Sequence, residues 1–310
     1  MGDDDRVLVM GEDVGALGGV FRVTQGLQSE FGDHRVIDTP LTEAGIVGSA
    51  IGLALRGYRP ICEIQFDGFV YPAFDQIVSQ LAKMRARSGG MIDMPVVIRI
   101  PAGGGIGAVE HHSESNEALF AHTPGLRVIA CSNPADAYEL MLQAIRSNDP
   151  VLFYEPKRRY WDKGDVDVSP SRSDFLAMDR ARVVRKGTDC TLVAYGPSVK
   201  TALDAAELAQ EDGLALQVVD LRSISPLDVD TLRSCVESTG RMVIVHEATT
   251  FMGIGSEIAA TISETCFYSL EAPVLRVGAY DLPYPPSRAE NEFLPDVDRV
   301  LDTVERALAH

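Results

Sequence analysis

The sequence predicts an α/β protein with two doubly wound domains, each a mainly parallel sheet covered by helices. Short apolar runs rich in β-branched residues alternate with longer segments whose apolar residues recur at helical spacing, which is typical of parallel sheets. The chain has 310 residues, and a domain typically takes about 150. A polar stretch over residues 162–175 interrupts the alternation and separates the two predicted domains.

Most of the predicted strands lie in the first half of the chain, where Val-, Ile- and aromatic-rich runs are bounded by glycine, proline or charged residues. Strands are predicted over residues 7–13, 59–66, 95–101, 126–132 and 150–156. Helices are predicted over residues 45–57, 72–90 and 133–149. The last of these helices has Asn133 as its candidate N-cap and Pro134 in its first turn.

The second half repeats the alternation after the polar stretch. Strands are predicted over residues 191–196, 214–221, 241–248 and 273–279. Helices are predicted over residues 198–212, 226–238 and 254–267. We therefore expect an N-terminal domain over residues 1–175 and a C-terminal domain over residues 185–310.

Composition and charge exclude several classes of protein. Apolar residues make up 45% and charged residues 24% of the chain, which excludes collagen-like, coiled-coil and wholly disordered proteins. The 28 Lys and Arg and 45 Asp and Glu residues give a net charge of −17. An acidic chain repels phosphate backbones, so we expect no nucleic-acid partner. A positively charged protein partner suits this charge, although acidity also serves solubility alone.

The cysteines and the apolar runs bear on the compartment. The 5 cysteines include no CxxC pair, which disfavours a disulfide framework or a structural zinc site and favours a reducing compartment. No apolar run reaches the roughly 18 residues that a membrane span needs. The acidic start MGDDDR is unlike a signal or transit peptide. We expect a cytoplasmic protein of bacterial type with no membrane partner.

The loop GGGIGA over residues 103–108 follows a predicted strand and formally fits the dinucleotide-binding pattern. The segment VEHHSES that comes next is a poor helix opening, and no acidic residue ends a strand about 20 residues further on. A dinucleotide-binding module stays an alternative from another class. The favoured interpretation is that these glycines let the backbone pack close to another group.

Glu110, His111, His112 and Glu114 together suggest metal ligands. Their spacing matches no zinc pattern, and adjacent histidines in a strand point to opposite faces, so both do not readily reach one ion. An ordinary polar turn is one alternative. A single functional histidine on a glycine-supported loop is the favoured one.

Two further residues, Glu43 and Phe69, have ordinary structural interpretations when only the local sequence is considered. Glu43 lies in DTPLTEAGI, residues 38–46, just before a helix of small residues. Thr42 or Thr39 could cap that helix, with Glu43 as a first-turn acid favoured by the helix dipole. Phe69 lies in the aromatic-rich stretch EIQFDGFVYPAFDQI, where core packing is the default role.

Several segments, taken in order, resemble the beta subunit of the thiamine-diphosphate-dependent 2-oxo acid dehydrogenases, the decarboxylating first component of those complexes. They are DTPLTEAGIVG, EIQFDGFVYPAFDQI, KMRARSGG, HHSES, AHTPGLRVIACSNPADAYELM and DPVLFYEPK, and the resemblance as a whole covers nearly the whole chain in order. The pieces EIQF…YPAFDQIV and FYEPK are more similar to the branched-chain enzyme than to the pyruvate enzyme. The resemblance implies an N-terminal pyrimidine-binding domain and a C-terminal transketolase-like domain.

The resemblance also implies roles for three residues. Glu43 matches the glutamate that hydrogen-bonds the aminopyrimidine ring nitrogen of the cofactor, and Phe69 matches the aromatic residue that stacks on that ring. His112 matches the active-site histidine. A carboxyl group hydrogen-bonded to the ring nitrogen promotes proton loss from the exocyclic amine. This task suits a buried acid that is fixed at the start of a helix. The cofactor is the electron sink of the reaction, and the protein supplies orientation and electrostatics.

A family motif that is missing from this chain indicates a partner subunit. In the family, a GDG…NN motif holds the cofactor diphosphate through magnesium, and this sequence contains neither GDG nor NN. The resemblance therefore implies an alpha subunit that carries the magnesium side of a shared site, in an α₂β₂ heterotetramer. It further implies that the C-terminal domain docks a dihydrolipoyl acyltransferase core. A family potassium site built from backbone carbonyls would fall near Met94, Val96 and Val97.

The expected function is thus oxidative decarboxylation of branched-chain 2-oxo acids with transfer of the acyl group to a lipoyl group. Pyruvate or acetoin is the alternative substrate within the same family. A non-catalytic scaffold that only docks an acyltransferase is a third hypothesis, disfavoured because a scaffold has no need for Glu43, Phe69 and His112 together. The pair His246 and Glu247 at a strand end is interpreted as structural.

Overall fold

Strands and helices alternate along both halves of the chain. The computed structural model describes residues 1–168 and 175–310. The strands of these residues are β1 (Val7–Gly11), β2 (Val36–Asp38), β3 (Arg59–Glu63), β4 (Val97–Ala102), β5 (Arg127–Ala130), β6 (Val151–Pro156), β7 (Arg182–Arg185), β8 (Cys190–Ala194), β9 (Leu216–Asp220), β10 (Ser223–Ser225), β11 (Met242–Thr249) and β12 (Leu275–Ala279). The α-helices are α1 (Leu27–Phe31), α2 (Glu43–Leu55), α3 (Ala82–Arg87), α4 (Glu117–Ala121), α5 (Pro134–Arg146), α6 (Ser198–Glu211), α7 (Val229–Thr239), α8 (Ile254–Thr265), α9 (Glu290–Phe293) and α10 (Val297–Leu308).

The strands form two sheets, and the predicted α/β class is confirmed. The first sheet has the order β10-β5-β6-β4-β3-β1-β2, and the second has the order β12-β11-β8-β9-β7. All neighbours pair in parallel except β10 on β5 and β7 on β9, which are antiparallel edge strands. Helical crossovers between the parallel strands cover the sheets, as parallel pairing requires.

One strand crosses between the two halves of the sequence. β10 lies within the predicted C-terminal domain, yet it pairs with β5 in the first sheet. The largest apolar cluster is likewise continuous from Leu8 in β1 to Ile262 in α8. The sequence-based domain limits, 1–175 and 185–310, stay a prediction, and the predicted linker includes residues 169–174, which lie outside the described residues.

Helix α5 shows how the local sequence sets an element's start. Asn133 accepts a hydrogen bond from the backbone N–H of Asp136 at 3.0 Å, and Pro134 occupies the first helical position. The predicted cap is therefore confirmed. Proline fits there because the first-turn N–H groups have no partner within the helix.

The predicted helix over residues 72–90 is irregular in the structure. A 3₁₀ helix spans Asp67–Ala73, a π-helical turn spans Gln76–Leu81, and α3 follows. Pro72 lies inside the first of these segments, where it supplies no N–H to a regular ladder. π-Helical turns occur often at functional sites, and this one directly follows the segment that carries Phe69.

No helix within residues 1–168 and 175–310 has both the length and the apolar character needed to cross a bilayer.

Candidate active site

The carboxyl ends of five neighbouring parallel strands, β6, β4, β3, β1 and β2, meet at one edge of the first sheet. Ligands of open parallel sheets bind at this edge because the loops that follow the strands converge there. The residues that follow these ends are Glu12 after β1, Asp67 after β3, Gly103 after β4 and Lys157 after β6. The candidate site is built from these loops and from the start of α2, which follows β2.

Glu43 is the first residue of α2 and is 7% exposed. The helix dipole favours a carboxylate at this position. No side chain within the described residues hydrogen-bonds to this carboxylate. Thr42 occupies the N-cap position without making a side-chain cap bond, so the alternative role of Thr42 as a cap is not realised.

Glu12 was missed by the sequence interpretation. Burial, and then the negative charge of Glu43, raise the pKa of the Glu12 carboxyl. Its Oε1 atom is buried and has no hydrogen-bond partner. The signal that identifies it is its position directly after the carboxyl end of the buried strand β1.

Phe69 and His112 lie together in an aromatic cluster with Phe66. The His112 ring centroid is 4.5 Å from that of Phe66 and 5.0 Å from that of Phe69, both edge to face. The backbone of His111 packs onto Gly68, where an added Cβ would lie 2.5 Å from the His111 carbonyl oxygen. The glycine thus allows the short helix that carries Phe69 to contact the turn that carries His112.

His111 and His112 do not point to opposite faces, so that expectation was wrong. They lie in a 3₁₀ turn over Glu110–His112 rather than in a strand, and their rings are stacked with centroids 5.4 Å apart. Burial, then the charges of His111 and Lys157, lower the pKa of His112. The lowered pKa favours the neutral imidazole, which is able to accept a proton.

A buried ion pair between Lys157 and Asp67 lies next to this aromatic cluster. Lys157 Nζ lies 2.7 Å from Asp67 Oδ2, and both side chains are fully buried. The ammonium group is also 5.6 Å from the centroid of the Phe66 ring, within cation–π range. Burial raises the pKa of Asp67 to about 6 against the opposing effect of Lys157, so Asp67 stays ionised at neutral pH.

The glycine loop over residues 103–107 does not form a phosphate cradle. Its N–H groups donate to the carboxylates of Asp67, Glu247 and Glu290. A nucleotide phosphate would have to displace these acids. The loop therefore gives no support to the dinucleotide-binding alternative.

The metal hypotheses find little support in the geometry. Within the described residues, no three His, Cys, Asp or Glu side chains group as ligands for a metal ion. At the suggested potassium loop, the Met94 carbonyl accepts from the Val96 N–H at 2.8 Å, and the Val96 carbonyl accepts from the Val151 N–H at 2.9 Å. Val97 begins β4 and pairs on both sides. Each of these carbonyl oxygens has a second lone pair, so a potassium site near Met94, Val96 and Val97 stays a prediction.

The pyrimidine half of thiamine diphosphate, by contrast, fits this region. Glu12 Oε1 and His112 Nδ1 are buried atoms without hydrogen-bond partners, a state that native structures tolerate where a ligand completes the bonding. The Glu43 carboxylate and the Phe69 ring are the group types that a polar aromatic ring needs for a hydrogen bond and a stacking face.

Comparisons with known proteins agree with this geometry. The family described as "Transketolase, pyrimidine binding domain" matches residues 1–162, and "Transketolase, C-terminal domain" matches residues 179–300. A solved structure described as "Split gene transketolase, inactive beta4 tetramer" has a TM-score of 0.80 and 23% identity, and the match covers 99% of this chain and 93% of that one. This likeness shows the fold alone.

Curated relatives are more similar. The chain is 59% identical over 307 residues to "Pyruvate dehydrogenase E1 component subunit beta" of Leifsonia xyli, with 99% of this chain and 90% of the relative covered. It is 54% identical over 309 residues to "3-methyl-2-oxobutanoate dehydrogenase subunit beta" of Mycobacterium tuberculosis, with 99% and 88% covered. With both domains matched and relatives this similar along their length, the chain belongs to the family of beta subunits of thiamine-diphosphate-dependent 2-oxo acid dehydrogenases.

Proposed function

We propose that this chain, together with an alpha subunit, oxidatively decarboxylates branched-chain 2-oxo acids and transfers the acyl group to the lipoyl group of a dihydrolipoyl acyltransferase. The observation that carries the proposal is the cluster of Phe69 and His112 on the edge of the sheet where α2 begins with the buried Glu43. Bound thiamine diphosphate supplies the electron sink for loss of carbon dioxide.

Each site residue has a proposed task. Glu43 holds a proton at the ring nitrogen of the pyrimidine, and its buried position keeps that hydrogen bond in a medium of low polarity. Phe69 fixes the plane of the ring. His112, edge-on to two aromatic rings, accepts or gives a proton at the atoms that react with the lipoyl group.

The proposed site is completed by another subunit. The sequence lacks the GDG…NN motif that holds the diphosphate through magnesium, so we assign that half to an alpha subunit and the assembly to an α₂β₂ heterotetramer. The acidic chain suits docking of a basic segment of the acyltransferase, an interaction weakened by salt. The bacterial relatives and the unpaired, buried cysteines support a cytoplasmic location.

The substrate is the least constrained part of the proposal. The segments EIQF…YPAFDQIV and FYEPK and the Mycobacterium tuberculosis relative favour a branched-chain acid. The relatives from Leifsonia xyli and from Bacillus subtilis, the latter 48% identical, carry the pyruvate name and favour pyruvate as the second candidate. Steady-state kcat/KM of the assembled enzyme with 3-methyl-2-oxobutanoate, pyruvate and acetoin separates the three. A higher value for pyruvate or acetoin contradicts the branched-chain assignment.

The isolated chain is expected to be inactive and to bind thiamine diphosphate weakly, because it supplies only the pyrimidine half of the site. Calorimetric titration with magnesium present measures this affinity, first without and then with the alpha subunit. A submicromolar Kd for the isolated chain, about −8 kcal/mol or tighter, would show that no second subunit is needed.

His112→Ala is expected to impair acyl transfer to a lipoyl domain more than decarboxylation measured with an artificial electron acceptor. When the dithiolane ring opens, one sulfur must take up a proton, and His112 relays one that its imidazole first takes up from solvent. Single-turnover rates in the two assays test this. His34→Ala, at a fully exposed surface site, is the control. Equal losses in the two assays assign His112 to substrate orientation, and no loss removes it from the chemistry.

A further inference from the structure

The turn that carries His112 ends a loop over residues 103–114. Hydrogen bonds hold the backbone of this loop at its base, Gly103, and at its tip, residues 104–107. At the base, the Gly103 N–H lies 3.1 Å from the carbonyl of Glu114 and 2.9 Å from Asp67 Oδ2. These bonds close residues 103–114 into one compact loop. His112 lies near its returning end, five residues after Gly107 at the tip.

Two acidic residues from the second half of the chain, Glu247 and Glu290, accept hydrogen bonds from the backbone of the tip. Glu290 Oε1 accepts from the Gly105 N–H at 2.9 Å, and its Oε2 accepts from the Gly107 N–H at 3.0 Å. Glu247 Oε2 accepts from the Gly104 N–H at 3.1 Å. A carboxylate with both oxygens engaged fixes position and orientation together.

These acids are themselves fixed. Glu290 is 6% exposed and its Oε1 accepts from the Tyr284 hydroxyl at 2.5 Å. Glu247 pairs with Arg158 at 2.6 Å. The close approach of the Tyr284 side chain to the loop requires glycine at position 104, because a Cβ on Gly104 would lie 2.0 Å from Tyr284 Oη. Neither acid is exposed enough to be a solvated surface charge.

We propose that Glu290 is a positioning residue for His112. Its two carboxylate oxygens accept hydrogen bonds from the N–H groups of Gly105 and Gly107, and through these bonds it sets the orientation of the imidazole. This inference rests on the proposed function for its kinetic consequence only. It extends the site to the C-terminal half of the chain, so the two halves build one active site together.

Glu290→Gln is the central test, because glutamine keeps the size but has one acceptor oxygen for two loop N–H groups. In the assembled enzyme we expect kcat for acyl transfer to fall by about 10–100-fold, the effect of a misplacement of about 1 Å. We expect the Kd for thiamine diphosphate to change by less than about 3-fold, since acids and aromatics of the pyrimidine site are untouched. Glu292→Gln, at an exposed position on the same short helix α9, is the matched control and is expected to match wild type.

Two measurements on the full chain without any partner test the positioning directly. Amide hydrogen exchange over residues 103–112 is expected to speed up in Glu290→Gln, and the NMR titration of the His112 ring is expected to move toward the ordinary histidine pKa as water enters. The neighbours whose charges face that ring are His111, Lys157 and Glu110. Tyr284→Phe, which removes one bond to Glu290, is expected to change both readouts in the same direction by a smaller amount, and it replaces Glu290→Gln should that variant not fold.

Unchanged exchange and an unchanged His112 titration in these variants would overturn the inference. So would equal losses in acyl transfer and decarboxylation that track only the amount of folded protein. If the wild-type complex acts on no 2-oxo acid, the proposed function fails, while exchange and titration still decide whether Glu290 positions His112.

Discussion

Glu43→Ala in the assembled enzyme is expected to lower kcat by roughly 10²–10⁴-fold, the typical worth of an acid–base group. Affinity for thiamine diphosphate is expected to fall far less, because the diphosphate contacts proposed for an alpha subunit and the proposed stacking face of Phe69 are unchanged. The residue is buried and starts α2, so the lost carboxyl is not replaced by bulk water at the same position. The measurement is kcat together with calorimetric Kd.

The matched control is Glu257→Ala, which removes an exposed first-turn acid from α8. Glu43→Gln is also expected to be poor, because an amide does not exchange a proton as a carboxyl does. Hydrogen–deuterium exchange at the cofactor's thiazolium carbon reports the step directly. A normal exchange rate in Glu43→Ala would remove Glu43 from the proposed role.

Lys157→Met is expected to lower the free energy of unfolding by about 3–5 kcal/mol, the usual cost of leaving one member of a buried ion pair without its partner. Asp67 would stay buried with two backbone N–H donors but no counter-charge. Urea unfolding of the full chain measures the change. Lys200→Met, in the exposed pair with Asp204 on α6, is the control and is expected to cost about 0.5 kcal/mol or less.

The double variant Asp67→Asn with Lys157→Met distinguishes an unpaired charge from lost packing. It is expected to be more stable than Lys157→Met alone, because no buried charge is left uncompensated. A double variant as unstable as the sum of the single changes would show that the side chains contribute independently.

Periodicity was enough to predict most of the fold. The buried strands β3, β4 and β6 are visible as apolar runs, and Asn133 with Pro134 marks the start of α5. Short edge strands such as β2 and β10 were not predicted, because three residues give no pattern. The helix α10 was not predicted either, although Val300, Val304 and Ala307 are buried at helical spacing.

The resemblance supplied the candidate site residues, while their surroundings needed coordinates. The charges inside buried strands are visible in the sequence as Glu63, Arg99 and Glu155, yet only the register brings Arg99 to 2.6 Å from both acids. The stacking of His111 on His112 depends on a 3₁₀ turn that no local pattern indicates. Glu290 is 183 residues from Gly107, and single-sequence reasoning has no means of pairing residues so far apart.

The pairing of β10 with β5 has a consequence for synthesis on the ribosome. When β6 has been made, β5 is an open edge of the first sheet, and about 70 further residues must be added before Ser225 exists. At roughly 5–20 residues per second this takes on the order of 4–14 s. During that interval the nascent chain presents an unpaired strand, the kind of edge that recruits other chains. A fragment that stops before β10 keeps that edge permanently, so the first sheet reaches its native boundary only when the later part of the chain has been translated.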